Sequence, residues 1–278
     1  MQIISTVAEL RSALAPHRLA GRRIGFVPTM GFLHAGHVSL IEASVRACDV
    51  TVVSIFVNPT QFGPKEDLSK YPRDVARDEA ACRNAGADII FLPSVEEIYP
   101  PGFQTYVEPG SLAAPLCGAF RPGHFRGVAT VVAKLFNMVQ PHATYFGAKD
   151  FQQCAVVRQM IVDLNLPIEF HALQTVRESD GLAMSSRNAY LSVPDRARAL
   201  SISQGLLAAQ ALHRQGERSS ARLLDAARAH LDVDSLQYLE LVDSVTLVAV
   251  GETLDGPAAM CIAAFIGPTR LIDNAMLQ

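Results

Sequence analysis

Residues 50–57, Val-Thr-Val-Val-Ser-Ile-Phe-Val, form an apolar run rich in β-branched side chains, bounded by Asp49 and by Asn58-Pro59. A run with no polar face predicts a strand covered on both sides, as in a parallel sheet. A second apolar run at 24–27 precedes it. The intervening 37–48 segment places Val38, Leu40, Ile41 and Val45 at helical spacing. Strand, helix and strand in that order make a right-handed βαβ unit.

The alternation continues along the chain. A helix from Tyr71-Pro72-Arg73-Asp74 to residue 84 leads to a strand at 87–93. A helix at 128–139 leads to a strand at 143–147, and a helix begun at 148–153 and ending at 164 leads to a strand at 168–173. Thr6-Val7-Ala8-Glu9 is a capping-box pattern that starts a helix over 7–18. Residues 94–123 carry repeated prolines and read as irregular, with one candidate short strand at 104–107.

Beyond Pro194 the order changes to helices at 196–214 and 219–231 followed by strands at 236–242, 247–250 and 260–265. This predicts an α/β domain over 1–175 and a smaller α+β domain over 176–278. At 278 residues, both can bury a core. A net charge of −3 argues against general nucleic-acid binding, which needs a basic surface. No segment approaches the ~20 apolar residues of a spanning helix, and the start of the chain lacks a leader pattern. The five cysteines, at 48, 82, 117, 154 and 261, form no Cys-x-x-Cys pair. A soluble, cytoplasmic protein is expected.

Four segments that follow predicted strands carry the chemistry. The first is Met30-Gly31-Phe32-Leu33-His34-Ala35-Gly36-His37, where two histidines three residues apart stand at a helix start. Unpaired amides and the positive dipole end favour phosphate there. Zinc is the competing reading of His-x-x-His, but no acid or cysteine nearby completes a ligand set. Gln61 follows the second strand. Gly147-Ala148-Lys149-Asp150 with Gln153 follows the strand at 143–147, and Met184-Ser185-Ser186-Arg187 lies in a later loop. The histidines, Lys149, Ser185, Ser186 and Arg187 can serve a triphosphate, whereas Gln61 and Gln153 suit a small hydroxylated substrate.

These residues resemble the pantothenate synthetase (pantoate–β-alanine ligase) family, within the nucleotidyltransferases that share a His-x-Gly-His element. The likeness spans Pro28-Thr29-Met30-Gly31, Phe56-Val57-Asn58-Pro59-Thr60-Gln61-Phe62-Gly63, Tyr71-Pro72-Arg73 and Arg121-Pro122-Gly123-His124-Phe125. It continues through Gly147-Ala148-Lys149-Asp150, Asp180-Gly181-Leu182-Ala183-Met184-Ser185-Ser186-Arg187-Asn188 and Thr269-Arg270-Leu271-Ile272-Asp273-Asn274.

The resemblance implies a Rossmann-like sheet with helices on both faces, a C-terminal lid domain and a homodimer. It implies that ATP activates (R)-pantoate as pantoyl adenylate, that β-alanine then displaces AMP, and that Mg²⁺ rides on the ATP phosphates rather than on a protein metal site. ATP contacts carry over to residues 30–37, 147–150, Val176 and 184–187. Pantoate and β-alanine contacts carry over to Gln61 and Gln153, and the proposed proton donor to His37. His34, Lys149, Ser185, Ser186 and Arg187 join it as catalytic candidates. Ala148, Phe32 and Ser179 stand where the family often has other residues.

Some questions stay open at this level. Asp150 fits a ribose or Mg²⁺ contact, or a helix cap. Arg121, His124 and Arg126 fit a substrate contact, a partner contact or a solvated turn. A nucleotidyltransferase that keeps AMP on its product, and a nucleotide-binding regulator, are the rival functions.

Overall fold

The computed structural model describes residues 1–64 and 66–278. The chain forms two compact units. One comprises Met1–Ala113, Arg121–Ala148 and Gln153–Gln174; the other comprises Ala114–Phe120, Lys149–Gln152 and Thr175–Gln278.

The chain opens with β1 (Gln2–Ile4), α1 (Val7–Leu19), β2 (Ile24–Thr29), α2 (Ala35–Ala47) and β3 (Val50–Ile55). It continues with α3 (Val75–Asn84), β4 (Ile89–Phe91), α4 (Val95–Ile98), α5 (Cys117–Phe120) and α6 (His124–Val139). Next come β5 (Ala143–Gly147), α7 (Phe151–Asp163), β6 (Glu169–Leu173), α8 (Val193–Arg214) and α9 (Ser220–Arg228). The last elements are β7 (Ser235–Asp243), β8 (Ala258–Ile266) and β9 (Thr269–Leu277).

In the first unit six parallel strands lie in the order β1-β4-β3-β2-β5-β6. From β2 the chain steps outward to β3 and β4, then returns to fill the other side with β5 and β6. Right-handed crossovers running in opposite directions put helices on opposite faces, and the carboxyl ends of β2 and β5 flank the point of reversal. Successive β2 residues show both faces filled. Phe26 meets Phe136 of α6 edge-on at 6.2 Å, while Val27 shares a core with Leu40 and Ile41 of α2. The capping box forms as predicted, with Glu9 N–H donating to Thr6 Oγ1 and Thr6 N–H donating to Glu9, each at 3.2 Å.

The second unit holds the antiparallel meander β7-β8-β9 with α8 and α9. The central strand β8 is buried almost end to end, and Met260 and Ile262 share a core with Leu206 of α8 and Leu223 of α9. Gly205 lets the two helices touch, because a Cβ there would stand 2.5 Å from the Ala227 carbonyl oxygen.

Several expectations are corrected. Residues 104–107 make no ladder: the Val107 amide donates to the Thr130 side chain, and the segment is tied down without a strand partner. Residues 247–250 make only an isolated bridge, because Asp243 caps a turn at Val245 and Thr246 and Leu247 has φ +59. The basic stretch expected as a loop before residue 128 is already helical from His124. Strands β1 and β9 are not among the expected ones. Among the described residues no helix is long and apolar enough to cross a membrane.

Candidate active site

The residues between β2 and α2 form the first part of the site. His34 caps α2: its Nδ1 accepts the Gly36 amide at 3.1 Å, and the His34 amide donates to His37 Nδ1 at 3.4 Å. Both rings accept at Nδ1, so the neutral tautomer of each carries its hydrogen on Nε2. The two rings lie 4.1 Å apart, tilted by 33°.

The turn ahead of them is held by a residue that local pattern did not reveal. Asp78 of α3, 1% exposed, accepts the amides of Phe32 at 2.8 Å and Leu33 at 2.6 Å. Burial raises its carboxyl above the ordinary value, against the pull of those two amides. Gly31 makes the approach possible, with φ +82 and a Cβ position that would lie 2.9 Å from Asp78 Oδ2.

Gln61 ends a 3₁₀ turn after β3, capped by Asn58. Asn58 Nδ2 donates to Gln61 Oε1 and to the Gly127 carbonyl, both at 3.1 Å, while its Oδ1 accepts from Tyr99 Oη at 2.8 Å. With Oε1 so engaged, Gln61 presents its amide hydrogens, and Nε2 lies 3.1 Å from Met30 Sδ. Gly127 admits this turn against α6, since a Cβ there would overlap the Thr60 carbonyl. On the far side Arg121 grips Glu66 at 2.6 Å. Burial would raise the Glu66 carboxyl, but the guanidinium outweighs it and brings the value down to about 2.

Of the other expected residues, Gly147 ends β5, the Ala148 amide donates to the Leu173 carbonyl at 2.8 Å, and Gln153 is half-buried on α7. Gln152 beside it is structural: its Oε1 accepts the Cys117 amide and its Nε2 donates to the Pro115 carbonyl.

The remaining expected residues lie in the second unit. Met184 N–H donates to the Val176 carbonyl at 3.0 Å across a loop that turns at Gly181, φ +95. Ser185 Oγ accepts the Arg187 amide at 3.2 Å and caps the 3₁₀ turn Ser186–Tyr190, in which Ser186 is buried. Lys149 and Ser185 line one small pocket with Asn188, Ser203, Leu271 and Asp273. Its wall is braced by Arg177, which meets Asp273 through two bonds of 2.6 and 3.1 Å, and by Asn188, which donates to Glu178 and the Ala183 carbonyl. Asn274 Nδ2 holds the Lys149 carbonyl at 2.9 Å, and Asp150 is exposed.

Residues 2–276 match the family model described as pantoate-beta-alanine ligase. The chain belongs to the pantoate–β-alanine ligase family. Members catalyse the ATP-dependent condensation of pantoate with β-alanine, an AMP-forming ligation. Pantothenate synthetase 1 of Bradyrhizobium diazoefficiens is 66% identical over 279 residues, covering 100% of this chain and 99% of the relative. A crystal structure of pantothenate synthetase from Thermus thermophilus matches with TM-score 0.94 at 47% identity, over 99% of both chains. The pantoate–β-alanine ligase of Francisella tularensis, solved in complex with β-γ ATP and β-alanine, matches with TM-score 0.81 at 33% identity, over 99% of this chain and 97% of that one.

Against the pantoate–β-alanine ligase pattern, the residues that sequence reasoning passed over are supports. Asn58 had a signal, an Asn directly before a Pro at a turn. Asp78 had none, since its two partners lie 45 and 46 positions away.

Proposed function

We propose that the chain makes pantothenate in two steps, through pantoyl adenylate. A carboxylate cannot be attacked by an amine while its leaving group is an oxide. The pantoate carboxylate therefore attacks the α-phosphorus of ATP, breaking its bond to pyrophosphate. The amine of β-alanine then attacks the acyl carbon, and AMP leaves. Both nucleophiles belong to substrates, so the protein supplies alignment and charge.

The observation that carries this reading is the His34–His37 pair at the start of α2, in a turn braced by Asp78, with Gln61 against Met30 of the same turn. Nε2–H of each histidine is a donor for phosphate oxygens, and His37 assists the departing pyrophosphate. Lys149 and Arg187 supply positive charge. Ser185 already accepts the Arg187 amide, which leaves its hydroxyl hydrogen for an acceptor. Ser186 is assigned to the same phosphates, and residues 30–37, 147–150, Val176 and Met184 to the rest of ATP. Gln61 and Gln153 hold pantoate, and their amides favour a substrate with hydroxyls over an analogue lacking them.

Among the described residues no group of three or more His, Cys, Asp or Glu is arranged for a metal ion. Mg²⁺ is assigned to the ATP phosphates on the family resemblance, and there it offsets their charge. A homodimer follows the family resemblance, and the five cysteines, none of them in a disulfide, support a reducing, cytoplasmic setting.

The test is pantoate-dependent exchange of labelled pyrophosphate into ATP, without and then with β-alanine, alongside AMP release. Exchange without the amine, and AMP only after its addition, is expected. Absence of exchange under both conditions removes the adenylate route, and AMP retained on the product selects the nucleotidyltransferase reading.

A further inference from the structure

The start of α6 meets the Gln61 turn through two side chains that the reaction has not used. His124 Nδ1 lies 2.8 Å from the Gln61 carbonyl oxygen. A carbonyl only accepts, so Nδ1 bears the ring hydrogen and Nε2 keeps its lone pair. Arg121 Nη1 donates to that lone pair at 3.0 Å, and its Nη2 reaches the same Gln61 carbonyl at 3.3 Å. The guanidinium is itself aimed by Glu66, through bonds of 2.7 Å from Nε and 2.6 Å from Nη2. Glu66 therefore orients Arg121, Arg121 selects the His124 tautomer, and both converge on one carbonyl.

From the other side Asn58 holds Gln61 Oε1. The main chain of Gln61 is anchored by one network and its side-chain oxygen by another, which leaves Nε2 with a set direction.

We infer that Arg121 and His124 are positioning residues for Gln61, setting the amide that receives pantoate and acting on pantoate use through it. This rests on the assignment of Gln61 to pantoate.

His124→Asn keeps an N–H near the place of Nδ1, whereas His124→Gln places its amide near Nε2 and loses the bond to the carbonyl. The experiment measures pantoate and ATP KM and kcat by pyrophosphate exchange for His124→Ala, His124→Asn, His124→Gln, Gln61→Ala and the double variant His124→Ala/Gln61→Ala. Thermal midpoints are recorded for each. His124→Ala is expected to raise pantoate KM by about tenfold, the worth of one buried hydrogen bond, with ATP KM within about twofold. His124→Asn recovers most of the loss and His124→Gln little of it. In the Gln61→Ala background the His124 change adds nothing.

Additive losses in the double variant, or equal losses in Asn and Gln, overturn the positioning role. A selective change in β-alanine use in the full reaction also overturns it. If Gln61→Ala alone leaves pantoate KM unchanged, the assignment of Gln61 fails and takes this inference with it, a result that the single variant reports separately.

Discussion

Replacing Asp78 removes the carboxylate that ties α3 to the turn ahead of His34. Asp78→Ala deletes an acceptor for two amides, at 2.8 and 2.6 Å, in a position 1% exposed to solvent. Each abandoned buried amide costs about 1–3 kcal/mol, so the variant should lose about 2–6 kcal/mol of stability. Asp78→Asn keeps the shape but offers one oxygen where two were used, and turns an amide donor toward an amide donor. Its loss should be about half as large, roughly 1–3 kcal/mol. The turn bears His34 and His37, and a shift on the order of 1 Å in a reacting geometry costs about 10²-fold in rate. Urea unfolding gives the stability, and pyrophosphate exchange at saturating ATP and pantoate gives the rate. The sign with pH is also set: because the folded carboxyl titrates above its ordinary value, its ionisation disfavours the fold, and stability at this site falls as pH rises through the folded value. An Asp78→Ala protein that unfolds within about 0.5 kcal/mol of the parent and exchanges at the parental rate would refute this account.

Three further outcomes can be checked. His37→Ala should lower kcat about 10²-fold with the melting temperature little changed, and near-parental turnover in steady-state assays would remove its role in pyrophosphate departure. Arg177→Ala leaves Asp273, whose side chain is 3% exposed, without its charge partner, and denaturant titration should show a loss of about 3–5 kcal/mol that Asp273→Asn in the same chain partly restores. Glu66 is ordinarily near 4.5 and sits at about 2 in the fold, so its contribution is present above pH 4.5 and lost as pH falls toward 2. The side chain is 26% exposed, which reduces a ceiling of about 3 kcal/mol to about 1–2, and the stability gap between parent and Glu66→Gln should shrink by more than half from pH 7 to pH 3.

The layers of the fold were legible in the residues alone. Residues 50–57 are apolar at every position but two, Thr51 and Ser54, and the strand they form is buried from Val50 to Ile55. Thr6 and Glu9 carry their helix start in four residues, and the structure closes that box. The placement of His34 and His37 on one face of a helix start follows from their spacing alone. Such features were legible because the partners lie within a turn of one another, where backbone geometry dictates who meets whom.

The features that could not be read this way join residues far apart in the chain. Strand order, with β2 paired to β3 on one side and β5 on the other, cannot be read from a list of strands. Strand β9 hid because it buries Asp273 and Asn274, polar residues that mask its pattern; the first is matched by Arg177 and the second by the Lys149 carbonyl. Residues 104–107 and 247–250 have strand composition without a ladder, since a strand exists only through its neighbour. Asp78 looks like one acid among several on a charged helix, and only the fold buries it beneath Phe32 and Leu33. A buried polar group must find its partner wherever the chain brings one, and that partner's position in the sequence is set by topology rather than by local pattern.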